Sequence, residues 1–276
     1  MDTKMTVADL RAMKARGEKI TMLTAYDASF ARLLEGAGID VLLVGDSLGM
    51  VMLGYDSTVP VTMEEMIHHA KAVRRGAQRS LVIGDMPFLS YQVSPQEAIH
   101  NAGRLMKEAG CDAVKVEGGQ EICATVSALV RAGIPVMGHI GLTPQTAGQL
   151  GGYKVQGKDL ASARRQVADA KALEEAGAFA LVLECIPAPL GRAISQAIAI
   201  PTIGIGAGAG CDGQVLVTHD LLGMFDKFTP SFVKPYAQLA RQIKEAVTTY
   251  HHEVKAGAYP DAKHSFSMTV DIDEVL

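Results

Sequence analysis

The apolar residues of this chain fall in short unbroken runs that stop at a polar residue. Val41-Leu42-Leu43-Val44 closes at Gly45-Asp46-Ser47, Leu81-Val82-Ile83 at Gly84-Asp85, and Ala113-Val114-Lys115-Val116 at Glu117, followed by Gly118-Gly119. A run without polar alternation reads as a strand buried on both faces, as in a parallel sheet covered by helices. Similar runs occur at Ile20 to Thr24, Pro135 to Ile140, Ala180 to Glu184, Thr202 to Ile205 and Gln214 to Thr218.

Between them, helices are predicted over Val7 to Arg16, Ala28 to Gly36, Met63 to Arg75, Pro95 to Ala109, Gln120 to Arg131 and Leu160 to Glu175. Ser94-Pro95 supplies an N-cap and a first-turn proline. Glycines follow helix ends at Gly110, Gly133 and Gly177, where a left-handed residue lets the next strand start at once. About eight strands alternating with helices predict a (β/α)8 TIM barrel. We read residues 1–276 as a single such domain, with a short N-terminal helix, a long helix from after Phe232 to about Val254, and an irregular tail from Gly257. A doubly wound open sheet is the alternative. It would carry a glycine fingerprint after its first strand, and none is there.

Composition narrows the partners. A net charge of −4 with no basic stripe argues against nucleic acid or an anionic membrane and leaves a small molecule as the expected partner. Cys111, Cys123, Cys185 and Cys211 form no C-x-x-C pair and show no zinc-ligand spacing, so they are expected as reduced thiols. With no secretory leader and no bilayer-length apolar run, the expected location is cytoplasmic.

In a parallel barrel, functional groups sit at the carboxyl ends of strands. Those ends here are Asp46-Ser47, Asp85, Lys115 with Glu117, His139 and Glu184. Asp46 and Asp85 suit Mg2+, a small hard cation held by a few carboxylates, with Glu117 as a third candidate ligand. Lys115 lies two residues before Glu117, so both face the interior. It either holds a substrate carboxylate or pairs with Glu117. His139, flanked by Gly138 and Gly141, is a candidate donor to an oxyanion or carboxylate, or a structural histidine. Glu184 ends an apolar strand, where partial desolvation suits a general base. The glycines from Gly204 to Gly210 are a weak phosphate-loop signal. The pairs His68-His69 and His251-His252 occupy adjacent helical positions and are expected in solvent.

Taken together, Leu23-Thr24-Ala25-Tyr26-Asp27, Val44-Gly45-Asp46-Ser47-Leu48-Gly49, Asp85-Met86-Pro87-Phe88, Val114-Lys115-Val116-Glu117-Gly118-Gly119, Gly138-His139-Ile140-Gly141-Leu142-Thr143-Pro144-Gln145 and Ile203-Gly204-Ile205-Gly206-Ala207-Gly208 closely resemble the ketopantoate hydroxymethyltransferase family. The resemblance runs from about Met5 to Phe266 and leaves the last ten residues unaccounted for. It implies a (β/α)8 barrel assembled into a homo-oligomer, commonly a decamer. It also implies transfer of a hydroxymethyl group from 5,10-methylenetetrahydrofolate to 3-methyl-2-oxobutanoate through a Mg2+-stabilised enolate, the first step of pantothenate synthesis. By the same resemblance Asp46, Asp85 and Glu117 form the metal site, and Asp46, Ser47, Asp85 and Lys115 contact the keto acid. Glu184 accepts the proton, and His139 is expected near the keto acid.

Two other readings stand beside it. A lyase of the phosphoenolpyruvate mutase type commonly brings a lid-loop cysteine, and no cysteine occurs here between Ser47 and Cys111. A non-catalytic barrel that binds a phosphorylated ligand through Gly204 to Gly210 would show no proton exchange on any keto acid.

Overall fold

The strands pair in sequence order into a closed, all-parallel barrel, β1 to β8, with β8 returning to β1. They are β1 Ile20–Thr24, β2 Val41–Val44, β3 Leu81–Asp85, β4 Ala113–Glu117, β5 Val136–Gly141, β6 Ala180–Glu184, β7 Thr202–Ile205 and β8 Gly213–Leu216. This is a computed structural model, and it describes residues 3–149, 151–225, 230–274 and 276.

The helices are α1 Val7–Arg16, α2 Ala28–Gly36, α3 Leu48–Val51, α4 Met63–Gly76, α5 Pro95–Lys107, α6 Cys123–Arg131, α7 Leu160–Glu175, α8 Ala188–Ala197, α9 Thr218–Leu221 and α10 Leu239–Lys255. Thr6 and Thr62 cap α1 and α4 with reciprocal capping boxes to Asp9 and Glu65, and Ser94 caps α5 as its sequence predicts. Helices α3, α8 and α9 are not anticipated from the sequence. The last predicted strand starts one residue earlier and stops at Leu216, because Thr218 opens α9. Helix α10 begins at Leu239, after a non-helical N-cap at Gln238, rather than directly after Phe232; Pro235 disfavours helix at the residue before it.

Two compact units result: residues 1–218 with 230–233, and residues 219–229 with 234–276. The first contains the barrel. In it, alternate strand residues separate into two apolar clusters. Leu42, Val44, Val82, Val114, Val116, Leu181 and Leu183 face the helices. Val41, Leu43, Leu81, Ile83, Ala113, Met137, Ala180 and Val182 fill the barrel, joined by Leu10 and Met13 of α1. Strand period two produces this division, and it sets the direction of every later side chain on each strand.

The glycines after β7 are explained by packing. A Cβ on Gly208 would sit 2.4 Å from that of Ala188 in α8, and one on Gly210 would sit 2.7 Å from that of Arg192. In the second unit α10 buries none of its residues, and no helix among the described residues is long and apolar enough to cross a membrane.

Candidate active site

On β3 to β6, continuing the inward-facing row toward the carboxyl end replaces apolar side chains with charged ones. Leu81 and Ile83 are followed by Asp85, Ala113 by Lys115 and Glu117, Met137 by His139, and Ala180 and Val182 by Glu184. The β4–β5 register sets Glu117 beside His139, and the β5–β6 register sets Gly141 beside Glu184. Asp46 enters from the turn between β2 and α3, where its backbone N–H donates to Asp85 Oδ2 at 3.3 Å.

The charged side chains predicted at the strand ends therefore meet at one mouth. Lys115 Nζ lies 2.9 Å from Asp85 Oδ1 and 3.3 Å from Glu117 Oε1. His139 Nδ1 converges on the same Glu117 oxygen at 3.2 Å, and its Nε2 faces Glu184 Oε2 at 3.3 Å. Asp46, Asp85, Lys115, Glu117 and His139 are each at most 5% exposed. Glu184 is the more open group, with 15% of its side chain in solvent. Ser47 Oγ sits 2.8 Å from the Tyr26 hydroxyl.

Burial alone would neutralise these groups, and their mutual charges decide which ones stay ionised. Burial raises the Asp46 carboxyl well above its usual range, and the charges of Asp85 and Glu117 push it further. Asp85 is also raised by burial, against the pull of Lys115. At Glu117 the burial effect is outweighed by Lys115 and then His139, which bring its pKa down to about 2. Burial and the Lys115 charge both work against a proton on His139, yet Glu117 and Glu184 lift its pKa to about 9. Lys115 overcomes the same desolvation through Asp85, Glu117 and Asp46 and stays charged.

Both the ion pair of Lys115 with Glu117 and a place at the mouth are thus realised. Both ring nitrogens of His139 face carboxylates of the protein itself.

Two further buried residues, not singled out from the sequence, bind this cluster together. Tyr91 is 1% exposed, and its hydroxyl is 3.0 Å from Glu117 N, 2.9 Å from Glu117 O and 2.8 Å from Gln145 Oε1. Gln145 is 3% exposed and donates its Nε2 to Asp46 Oδ2 at 2.9 Å. The expectation that His69 lies in solvent is corrected: its Nδ1 is 2.7 Å from the Tyr26 carbonyl oxygen, so it belongs to the strand-end packing. His68, His251 and His252 are exposed as expected. The four cysteines are free thiols, and burial pushes Cys111 up to about 12, which makes it a poor nucleophile.

The donor set fits a hard cation. One carboxylate oxygen from each of Asp46, Asp85 and Glu117 can be chosen so that all lie within 4.8 Å of one another, and an all-oxygen set selects Mg2+, Ca2+ or Mn2+ over softer metals. The raised Asp46 carboxyl carries the same message. Its neighbours' negative charge exceeds what Lys115 balances, and a divalent ion among the three would relieve it.

Fold and site together define an α/β barrel with three buried carboxylates at its mouth that could hold a cation. The ketopantoate hydroxymethyltransferase family profile matches residues 4–262. The chain is 63% identical over 273 residues to the 3-methyl-2-oxobutanoate hydroxymethyltransferase of Desulfotalea psychrophila, covering 99% of this chain and 98% of that one. It is 62% identical over 271 residues to the enzyme of the same name from Carboxydothermus hydrogenoformans, covering 98% of each. Among solved structures, a phosphoenolpyruvate phosphomutase from Streptomyces platensis subsp. rosaceus superposes with a TM-score of 0.63 over 98% of this chain and 93% of that one. At 18% identity this likeness speaks for the barrel fold alone. The chain belongs to the ketopantoate hydroxymethyltransferase family.

Proposed function

We propose that this enzyme transfers a hydroxymethyl group from 5,10-methylenetetrahydrofolate to 3-methyl-2-oxobutanoate, giving 2-dehydropantoate and tetrahydrofolate, the first step of pantothenate synthesis. Family membership supports the reaction. The observation that carries the mechanism is the placement of Glu184, half-buried at the mouth, beside a deeper cluster of Asp46, Asp85, Glu117 and Lys115.

Asp46, Asp85 and Glu117 would hold Mg2+. When bound, the ion supplies Lewis-acid polarisation of the substrate's keto oxygen. Lys115 and Ser47 orient the keto acid, the ammonium by charge and the hydroxyl by hydrogen bonding. Glu184 takes the C3 proton. Water breaks both C–N bonds of the folate's methylene bridge, releasing tetrahydrofolate and leaving that carbon as formaldehyde. The carbanion equivalent adds to this carbon while its oxygen takes up a proton to become the new hydroxyl. The His139 ring stands between Glu184 and Glu117, 3.3 Å and 3.2 Å from the nearest oxygen of each. We further propose a cytoplasmic homo-oligomer, with the stripe of Ile243, Val247, Tyr250 and Val254 on α10, 44 to 60% exposed, as surface available for assembly.

The test is proton exchange in D2O, followed by NMR at C3 of 3-methyl-2-oxobutanoate. Loss of that signal that depends on both enzyme and Mg2+ is expected. A proton that persists even with tetrahydrofolate present, in folded protein shown to bind Mg2+, would overturn the reading.

A further inference from the structure

One uncharged side chain ties together the ends of β2, β3, β4 and β5. Gln145 lies in the single turn Pro144–Thr146 just beyond β5, almost wholly buried. Its Nε2 donates to Asp46 Oδ2 and to the Met86 carbonyl, both at 2.9 Å. Its Oε1 accepts from the Tyr91 hydroxyl at 2.8 Å and from Gln92 Nε2 at 3.4 Å. Its backbone N–H donates to Glu117 Oε2 at 3.1 Å.

These partners fix which way the amide faces. A backbone carbonyl only accepts, so the atom beside Met86 O is the NH2 group, and the second proton of that group is directed at Asp46. The Tyr91 hydroxyl accepts from the Glu117 N–H and has its single proton within reach of both the Glu117 carbonyl oxygen and Gln145 Oε1, so it sits at the other end of the amide. Gln145 thereby engages one oxygen on each of two carboxylates, Oδ2 of Asp46 and Oε2 of Glu117. Asp46 Oδ1 keeps no hydrogen bond to any described residue and is the oxygen left to face a cation.

We propose that Gln145 is a positioning residue for the cation. It selects which oxygen of Asp46 coordinates, and it holds Asp46 and Glu117 at ligand spacing. This inference rests on the reading of Asp46, Asp85 and Glu117 as the Mg2+ site. Partners that orient a ligand from behind typically alter metal affinity by about 10- to 100-fold when removed.

The experiment is calorimetric titration of substrate-free enzyme with Mg2+, comparing wild type with Gln145→Met and Gln145→Asn. Methionine keeps the volume and removes the donor, and asparagine keeps an amide but withdraws it from Asp46. Both variants are expected to bind Mg2+ about 10- to 100-fold more weakly. Their turnover should recover toward wild type as Mg2+ is raised, with the KM for the keto acid little changed at saturating Mg2+. If Gln145→Met fails to show a native melting transition, Gln145→Asn decides. Unchanged Mg2+ affinity in a folded variant, with only its melting temperature lowered, would overturn the proposal and leave Gln145 a packing residue. A wild type that binds no Mg2+ would instead overturn the cation site on which the inference rests.

Discussion

His139 Nε2 lies 3.3 Å from Glu184 Oε2 while its Nδ1 lies 3.2 Å from Glu117 Oε1, so one imidazole spans the deep carboxylate cluster and the carboxylate at the mouth. An imidazole at this distance limits where the Glu184 carboxylate can swing. A base must hold its oxygen within about 3 Å of the proton it removes, and a glutamate carried on a single strand end has the rotamer freedom to miss.

Glu184→Gln keeps the shape and the neighbour of that carboxylate and removes its basicity. Turnover should fall by a factor on the order of 10² or more, with keto-acid binding nearly unchanged. Steady-state kinetics together with a binding titration checks this, and unchanged turnover would remove Glu184 from the role of base.

Lys115 neutralises buried carboxylates on two sides. Lys115→Met should destabilise the metal-free enzyme by about 3–5 kcal/mol, the usual result of leaving a buried charge without its partner. Mg2+ should restore part of the loss by taking over the same carboxylates. Denaturant titrations with and without Mg2+ measure both effects, and equal stability of variant and wild type would contradict the charge balance described above.

Asp220, in the second unit, has its carboxyl raised by burial from 3.8 to about 6. A raised acid makes folding less favourable as pH climbs. Below the unfolded pKa both states are protonated, between 3.8 and about 6 only the unfolded state gives up its proton, and above that the penalty is complete. Asp220→Asn should therefore melt higher than wild type at pH 8 and with no advantage at pH 3.5. Melting curves at the two pH values suffice, and a difference of opposite sign would refute the burial assigned to Asp220.

Gly141 ends β5 at φ +95, and a Cβ there would stand 2.1 Å from the carbonyl oxygen of Glu184. Gly141→Ala should lose at least about 1–3 kcal/mol from backbone strain alone, before the clash is counted. Because the clash falls on the residue proposed as base, activity should fall further than the folded fraction does. Activity per folded molecule, with folding measured by circular dichroism, separates the two losses.

Much of this architecture was legible because the inner rows of β3 to β6 change from apolar to charged within one or two residues. That change marked Asp85, Lys115, Glu117 and Glu184 without any knowledge of their neighbours. Gln145 and Tyr91 escaped for the opposite reason: their partners lie far along the chain, Asp46 being 99 positions from Gln145 and Tyr91 being 54. Local sequence holds no trace of such pairings. Helix α8 went unanticipated although Pro187 at its N-cap and Pro189 in its first turn occupy positions where proline is well accommodated. His69 looked solvated because adjacent histidines on a helix point in different directions, and only the packed structure shows that one of them turns toward the Tyr26 carbonyl.

The order Val114, Lys115, Val116, Glu117 along β4 also bears on how the barrel closes. A one-residue slip against β5 would turn an ammonium and a carboxylate into the apolar layer beneath the helices and leave two valines at the mouth. Each misaligned barrel would bury charge without a partner, so the charges that line the mouth also proofread the threading of the strand that carries them.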